Sequence, residues 1–150
     1  MKDIIAKFEN EYDFLSNFYE APCMFEGLSY ESTEASFQSA KTIDLELRKE
    51  FASLKPGKAK RKGREIALRA NWDSIRNNIM YECVKDKFTR NIDLQEKLLN
   101  TGDSILIEGN YWHDTYWGVC DGVGENNLGK ILMQIRGELS EGISIRQKED

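Results

Sequence analysis

In "YESTEASFQSAKT", Tyr30 to Thr42, a glutamate, a glutamine and a lysine fall at positions 34, 38 and 41. Helix residues separated by three, four or seven positions share a face, so Glu34, Gln38 and Lys41 form one stripe if this segment is helical. A carboxylate can hold or move a proton, and an amine stripped of its proton is a nucleophile. A solvated charged face is the competing reading of the same pattern. His113 is the only histidine in the chain, which removes His-rich zinc sites and makes any Ser-His-Asp triad depend on one residue. If the chain is an enzyme, carboxylates or a lysine carry its protons.

The elements that must position this stripe can be read from composition and periodicity. At 150 residues, 31% charged and 40% hydrophobic, the chain reads as one soluble domain with a real core. It has no run of roughly 18 apolar residues that could span a membrane. The start, "MKDIIAKFENEYDF", spreads charge where a signal peptide carries an apolar stretch. Cys23, Cys83 and Cys120 are odd in number and lack C-x-x-C spacing, which fits free thiols in a reducing cytoplasm. The net charge of −5 gives no general attraction to nucleic acid. Yet "KPGKAKRKGR" sets six basic residues in ten: Lys55, Lys58, Lys60, Arg61, Lys62 and Arg64. Such a patch suits a few phosphates, or is a solvated helix face.

Along the chain, "FLSNFYEAPCMFEGLSY" is aromatic and short-periodic, which predicts one or two short strands with turns. A helix from about Thr33 to Leu54 follows, capped by Ser32, buried along Leu47, Phe51 and Leu54, and stopped by Pro56-Gly57. A short basic helix is expected around Lys58 to Arg69. "ANWDSIRNNIMYECVKDKFTR" is the clearest amphipathic helix, with Asn71 as cap and Trp72, Ile75, Ile79, Cys83 and Phe88 inward. "NIDLQEKLLNTGD" reads as a helix capped by Asn91 and closed at Gly102, and "SILIE" as a short strand. The last helix, "NLGKILMQIRGEL", turns Leu128, Ile131, Leu132, Ile135 and Leu139 inward. Residues 140–150 read as a loose tail. The expected fold class is α+β, a predominantly helical single domain with a few short strands.

Between Gly109 and Asn126 lies a long loop carrying Tyr111, Trp112, Tyr116 and Trp117 around Asp114. Loops beyond about 12–15 residues are uncommon and often functional. Aromatics at this density can line a pocket that stacks a ring, or can pack the loop onto the core. "GVGENNLGK" then offers backbone N–H groups at a helix start, which suits a phosphate or plain capping. It is neither a dinucleotide fingerprint nor a P-loop. For Cys120 as a nucleophile, no base stands at a recognisable spacing. His113 can carry a proton or simply line the loop.

Taken in order, "FLSNFY", "YESTEASFQSAK", "LRANWDSIRNNIM", Lys87-Phe88, "DTYWG" and "GENNLGKILMQIR" resemble the NADAR (NAD- and ADP-ribose-associated) family, which includes YbiA-like N-glycosidases. The resemblance runs from Phe14 to Arg136. It implies hydrolysis of a C1′–N bond between ribose and an amine or base. The implied substrates are ADP-ribose attached to guanine, in nucleotide or nucleic acid, or early phosphorylated intermediates of riboflavin synthesis. The motif positions place catalysis on Glu34, Lys41 and Asp114. They place substrate binding on Asn17, Phe18, Gln38, Arg64, Arg69, Trp72, Trp112, Trp117, Gly118, Asn126 and Asn127. Where relatives commonly read E-H-x-F-Q, this chain reads Glu34-Ala35-Ser36-Phe37-Gln38, a departure that bears on substrate choice.

That chemistry suits these residue types. A ribosyl C–N bond breaks by protonation of the leaving group with positive charge developing at C1′, and paired carboxylates serve it. Glu34 and Asp114 can supply the acid/base and the cation stabiliser. In a second route the sugar ring opens to an imine and Lys41 exchanges into it as a Schiff base. Seven residues separate Glu34 and Lys41, roughly 10.5 Å along a helix axis, and both side chains are long. The lysine would need its pKa lowered by burial or neighbouring cations. No metal, cofactor or obligate protein partner is expected. A non-catalytic module that binds NAD or ADP-ribose is the competing function of another class.

Overall fold

The computed structural model describes residues 1–149. Strands β2 (Glu20–Phe25) and β3 (Leu28–Ser32) form an antiparallel hairpin with Phe25 opposite Leu28. Glu26 and Gly27, the two turn residues, both have positive φ, 45° and 85°. Two such residues in succession match the right-handed twist of the flanking strands, so the hairpin closes tightly. Along β2 the burial alternates, with Ala21, Cys23 and Phe25 inward.

Helix α1 (Thr33–Ser39) leaves β3 directly, and the Ser32 hydroxyl caps it by accepting the Ala35 N–H. All seven of its residues are buried. The stripe on α1 is therefore not a solvated face.

The long helix expected from Thr33 to Leu54 is two helices. α1 ends at Ser39, and α2 spans Leu45–Phe51. The cause is local capping chemistry. Thr42 Oγ1 accepts the Asp44 N–H, and Asp44 Oδ1 accepts the N–H groups of Glu46 and Leu47, so a new helix starts there. Arg48 secures the bend by donating from Nε to the Thr42 carbonyl over 2.7 Å and from Nη1 to Glu26 at 3.1 Å. Of the expected stripe, Phe51 is fully buried, whereas Leu47 and Leu54 are half-buried. Pro56 does not stop a helix; it opens α3 (Pro56–Glu65), where its missing N–H costs nothing.

Helix α4 (Trp72–Arg90) buries Trp72, Ile79, Cys83 and Phe88, with Ile75 half-buried. Asn71 precedes it in a left-handed conformation, and its carbonyl rather than its side chain receives the first turn's donors. Asp86 of α4 accepts the Met24 N–H of β2 at 2.8 Å. The Asn91 side chain donates to the Lys87 and Pro22 carbonyls, closing α4. Residues Asn17–Ile92 make one compact unit, and Met1–Ser16 with the chain from Asp93 onward make another.

In that other unit, β1 (Ile4–Ile5) pairs parallel with β4 (Ile105–Leu106). A 3-10 turn over Asn10–Leu15 buries Phe14 and Leu15, and α5 (Ile92–Leu99) buries Leu94 and Leu98. α6 (Asn127–Glu149) buries Leu128, Ile131, Leu132 and Ile135, while Leu139 is half-buried. The loose tail expected at 140–150 is helical through Glu149; no proline interrupts it, and Gly142 alone does not break a helix already under way. Asp150 lies outside the described residues. No helix among them is long and apolar enough to cross a membrane. Helices with a few short strands make this the expected α+β class.

Candidate active site

α1 delivers Glu34 and Gln38 from a wholly buried helix, one turn apart. Gln38 Nε2 donates to Glu34 Oε1 over 2.9 Å, with both side chains nearly inaccessible. The Glu34 N–H donates to the Asn17 carbonyl at 3.0 Å, and the Asn17 amide reaches Met80 Sδ at 3.3 Å. Asn17 thus fixes the start of α1.

Lys41 does not continue the helix. It sits in the turn beyond Ser39, with its N–H donating to the Gln38 carbonyl at 3.2 Å. The Arg69 N–H donates to the Lys41 carbonyl, which brings the chain after α3 against it. Burial holds the Lys41 pKa below its ordinary value; Arg64 and Lys60 push the same way, while the Glu34 carboxylate opposes them. A buried amine beside other cations is the environment that yields a nucleophilic lysine.

α3 supplies those cations. Lys60 and Arg64 lie one turn apart on it, and the Lys60 ammonium sits 5.6 Å from the centre of the Phe18 ring, itself exposed. Part of the basic patch is already paired: Lys55 with Glu20 at 3.1 Å and Lys62 with Glu50 at 3.8 Å. Gly63, which sequence reasoning passed over, lies against Gln38. A Cβ there would collide with the Gln38 carboxamide. Trp72 does not offer an open ring to a substrate. It is buried, with its centroid 5.3 Å from that of Phe37.

Asp114, in the other unit, organises its own loop. Its Oδ1 accepts the N–H groups of Tyr116 and Trp117 at 3.1 and 2.9 Å, and Asn110 brackets its backbone on both sides. The loop aromatics pair edge to face, Tyr111 with Trp112 and Tyr116 with Trp117, while Tyr111 and Trp112 remain exposed. Gly118 is buried, and a Cβ there would strike Glu108.

The start of α6 differs from expectation. The N–H groups of Glu125, Asn126, Asn127 and Leu128 donate to the carbonyls of Thr115, Gly118, Tyr116 and Trp117. Those donors hold the loop and are not offered to a phosphate. The Asn126 side chain bridges the Leu106 carbonyl and the Glu108 N–H, and the Asn127 amide donates to the Tyr116 carbonyl. Both asparagines are committed to backbone.

Cys120 has a base within reach that linear spacing did not reveal. His113 Nδ1 lies 3.7 Å from its sulfur, and Asp121 Oδ2 lies 3.8 Å away. All three cysteines are free and buried. Burial raises the Cys23 thiol to about 11 and pushes Cys83 up further, so neither is primed as a thiolate. Among the described residues, no three His, Cys, Asp or Glu side chains cluster as metal ligands would.

The NADAR domain model matches residues 5–140. The N-glycosidase YbiA of Escherichia coli (strain K12) is 33% identical over 147 residues, covering 93% of this chain and 91% of that protein. A riboflavin biosynthesis protein of Vibrio vulnificus is 36% identical over 137 residues, covering 89% of this chain and 37% of that one. The NMR structure of E. coli YbiA superposes with a TM-score of 0.82 at 32% identity, over 100% of this chain and 90% of that chain. A model match over most of the chain and a full-length relative at this identity lead to one conclusion: the chain belongs to the NADAR domain family.

Proposed function

We propose that this protein hydrolyses the C1′–N bond of a ribosyl adduct, and that its substrate is ADP-ribose attached to guanine, in a nucleotide or in nucleic acid. Membership of a family with relatives named N-glycosidases makes it a hydrolase of that class. The observation that carries the reading is the Glu34–Gln38–Lys41 group. A buried carboxylate and an amine of lowered pKa stand within electrostatic range of each other on one buried helix and its turn. Glu34 protonates the departing base as Lys41 displaces it from C1′ of the opened sugar, and water then hydrolyses the lysine imine.

ADP-ribose brings a pyrophosphate. With the α6 start occupied, that group falls to α3, where Lys60, Arg61 and Arg64 lie within about 6 Å of axial rise. A monophosphate needs fewer cations. The free thiols support a cytoplasmic setting.

The relative named a riboflavin biosynthesis protein favours a second reading, action on early phosphorylated intermediates of that synthesis. Incubation with an ADP-ribosylated guanine oligonucleotide, and separately with the riboflavin intermediates, separates the two. We expect higher kcat/KM on the oligonucleotide, with free ADP-ribose inhibiting as product. The reverse preference, with no ADP-ribose inhibition, moves the protein to the riboflavin reading. Tight ADP-ribose binding without turnover of either substrate makes it a binding module.

A further inference from the structure

Gln38 is anchored at one end only. Its Nε2 donates to Glu34, but its Oε1 is buried and has no hydrogen-bond partner among the described residues. That oxygen faces Gly63, where the missing side chain makes room for it. A buried acceptor left unpaired in a native fold calls for an explanation. A carboxamide held at both ends would freeze its neighbour in one protonation state. Donation from Nε2 suits an ionised Glu34. Turned by half a revolution about its last bond, the same amide presents Oε1, which suits a protonated Glu34 that donates. The turn breaks no second hydrogen bond, because the far end has none to lose.

We infer that Gln38 is the positioning residue for Glu34, an amide that turns with the Glu34 proton and keeps the carboxyl group in one place in both protonation states. The inference rests on Glu34 being the acid/base of the proposed reaction. In that reaction the Glu34 proton passes to the departing base nitrogen as the C1′–N bond breaks. Water then adds to C1′ of the Lys41 imine and returns a proton to Glu34, and the carbinolamine collapses with loss of the lysine amine to free the sugar. The carboxyl group must serve twice from one position, and a partner that can only donate would favour one half of the cycle.

Two measurements test this. The first needs no substrate: the side-chain amide signals of Gln38 in 15N-labelled protein, assigned with Gln38→Met, are followed from about pH 3 to pH 8, the span of a carboxyl titration. We expect them to shift with a single titration that vanishes in Glu34→Gln. Invariant signals in the wild-type protein overturn the inference.

The second uses the ADP-ribosylated guanine oligonucleotide. Gln38→Met keeps the length and removes both polar ends, and kcat should fall between about tenfold and a hundredfold at little-changed KM, since a misplaced catalytic group costs that much. Gln38→Glu can share a proton with Glu34 at acid pH but repels it once both are ionised. Its activity should recover toward acid pH, which a purely structural role would not produce. A Gln38→Met protein with wild-type kcat, or a Gln38→Glu protein with the wild-type pH profile, overturns the inference. If Glu34→Gln is inactive in the same assay, the role of Glu34 survives that failure; an active Glu34→Gln overturns the role of Glu34 itself.

Discussion

The backbone N–H of Arg69 donates to the carbonyl oxygen of Lys41 over 2.7 Å. Lys41 lies beyond the last helical residue of α1, so this bond and its own turn bond to Gln38 hold its backbone in place. If Lys41 forms a Schiff base with the opened sugar, borohydride added during turnover traps a ribosyl adduct on it, seen as a mass shift of the Lys41 peptide. Lys41→Arg keeps the charge and should abolish both adduct and turnover. An active Lys41→Arg enzyme would reduce this lysine to binding and leave the two-carboxylate route.

The lowered pKa of Lys41 has a definite sign. Between its folded value and the ordinary 10.5, the unfolded chain binds the extra proton, so this group's contribution to stability rises with pH across that window. The neutral amine accumulates over the same window. kcat/KM should therefore climb toward alkaline pH and level off below 10.5. Arg64→Gln removes one of the repelling charges, so the limb should move to higher pH. The same variant should raise KM more than it lowers kcat, because a remote phosphate contact is mostly uniform binding. Profiles of the two proteins on one substrate decide it; a limb that stays in place removes Arg64 from the lysine's environment.

Glu34→Gln keeps the shape and removes the proton carrier. Turnover should fall at least about a hundredfold. The melting temperature should change little, since an amide at 34 can still pair with Gln38. Near-normal turnover would falsify the acid/base role.

Gly63→Ala sets two effects against each other. Alanine gains about 1 kcal/mol over glycine in a helix interior. Overpacking a filled site costs about 1–3 kcal/mol, and here the new Cβ meets the Gln38 carboxamide. The collision should win, with a net loss of up to about 2 kcal/mol in urea unfolding. Turnover should drop along with it, because Gln38 can yield only by moving off Glu34. A more stable, fully active variant would show that the contact gives way easily.

Asp114 has both a loop to hold and a proposed charge to supply, and two variants separate these roles. Asp114→Asn keeps the Oδ1 acceptor for Tyr116 and Trp117. Asp114→Ala removes it and should cost about 1–3 kcal/mol. If the charge serves catalysis, the asparagine variant melts normally and turns over slowly. Normal turnover in Asp114→Asn confines the residue to shaping the loop.

Much of the fold was legible because its signals are local. The Ser32 cap, the short strands and turns before it and the periodicity of α4 are each written within a few residues. The break between α1 and α2 was harder to see, because Thr42 and Asp44 had to be weighed against a continuous helical pattern. The Glu34–Gln38 pair was legible as a spacing, but its burial was not. The contact of Gly63 with Gln38 joins α3 to α1 and leaves no trace in the spacing of either. The occupied N–H groups at α6 depend on a loop path that no motif encodes.

The pairing of β1 with β4 sets an order of events during synthesis. Ile4 and Ile5 are made about a hundred residues before their partners Ile105 and Leu106. At roughly 5–20 residues per second, that is a wait of several seconds. The contiguous stretch Asn17–Ile92 is complete before then and can gather its own core. The segment Met1–Ser16 is stranded meanwhile, with its buried Ile5, Phe8 and Phe14 lacking their later-made companions. Closing so long an interval adds little to the equilibrium cost, since loop entropy grows only logarithmically, but it delays the step. The order of the chain therefore delivers the segment bearing Asp114 only after Glu34, Lys41 and the whole of their unit have been made.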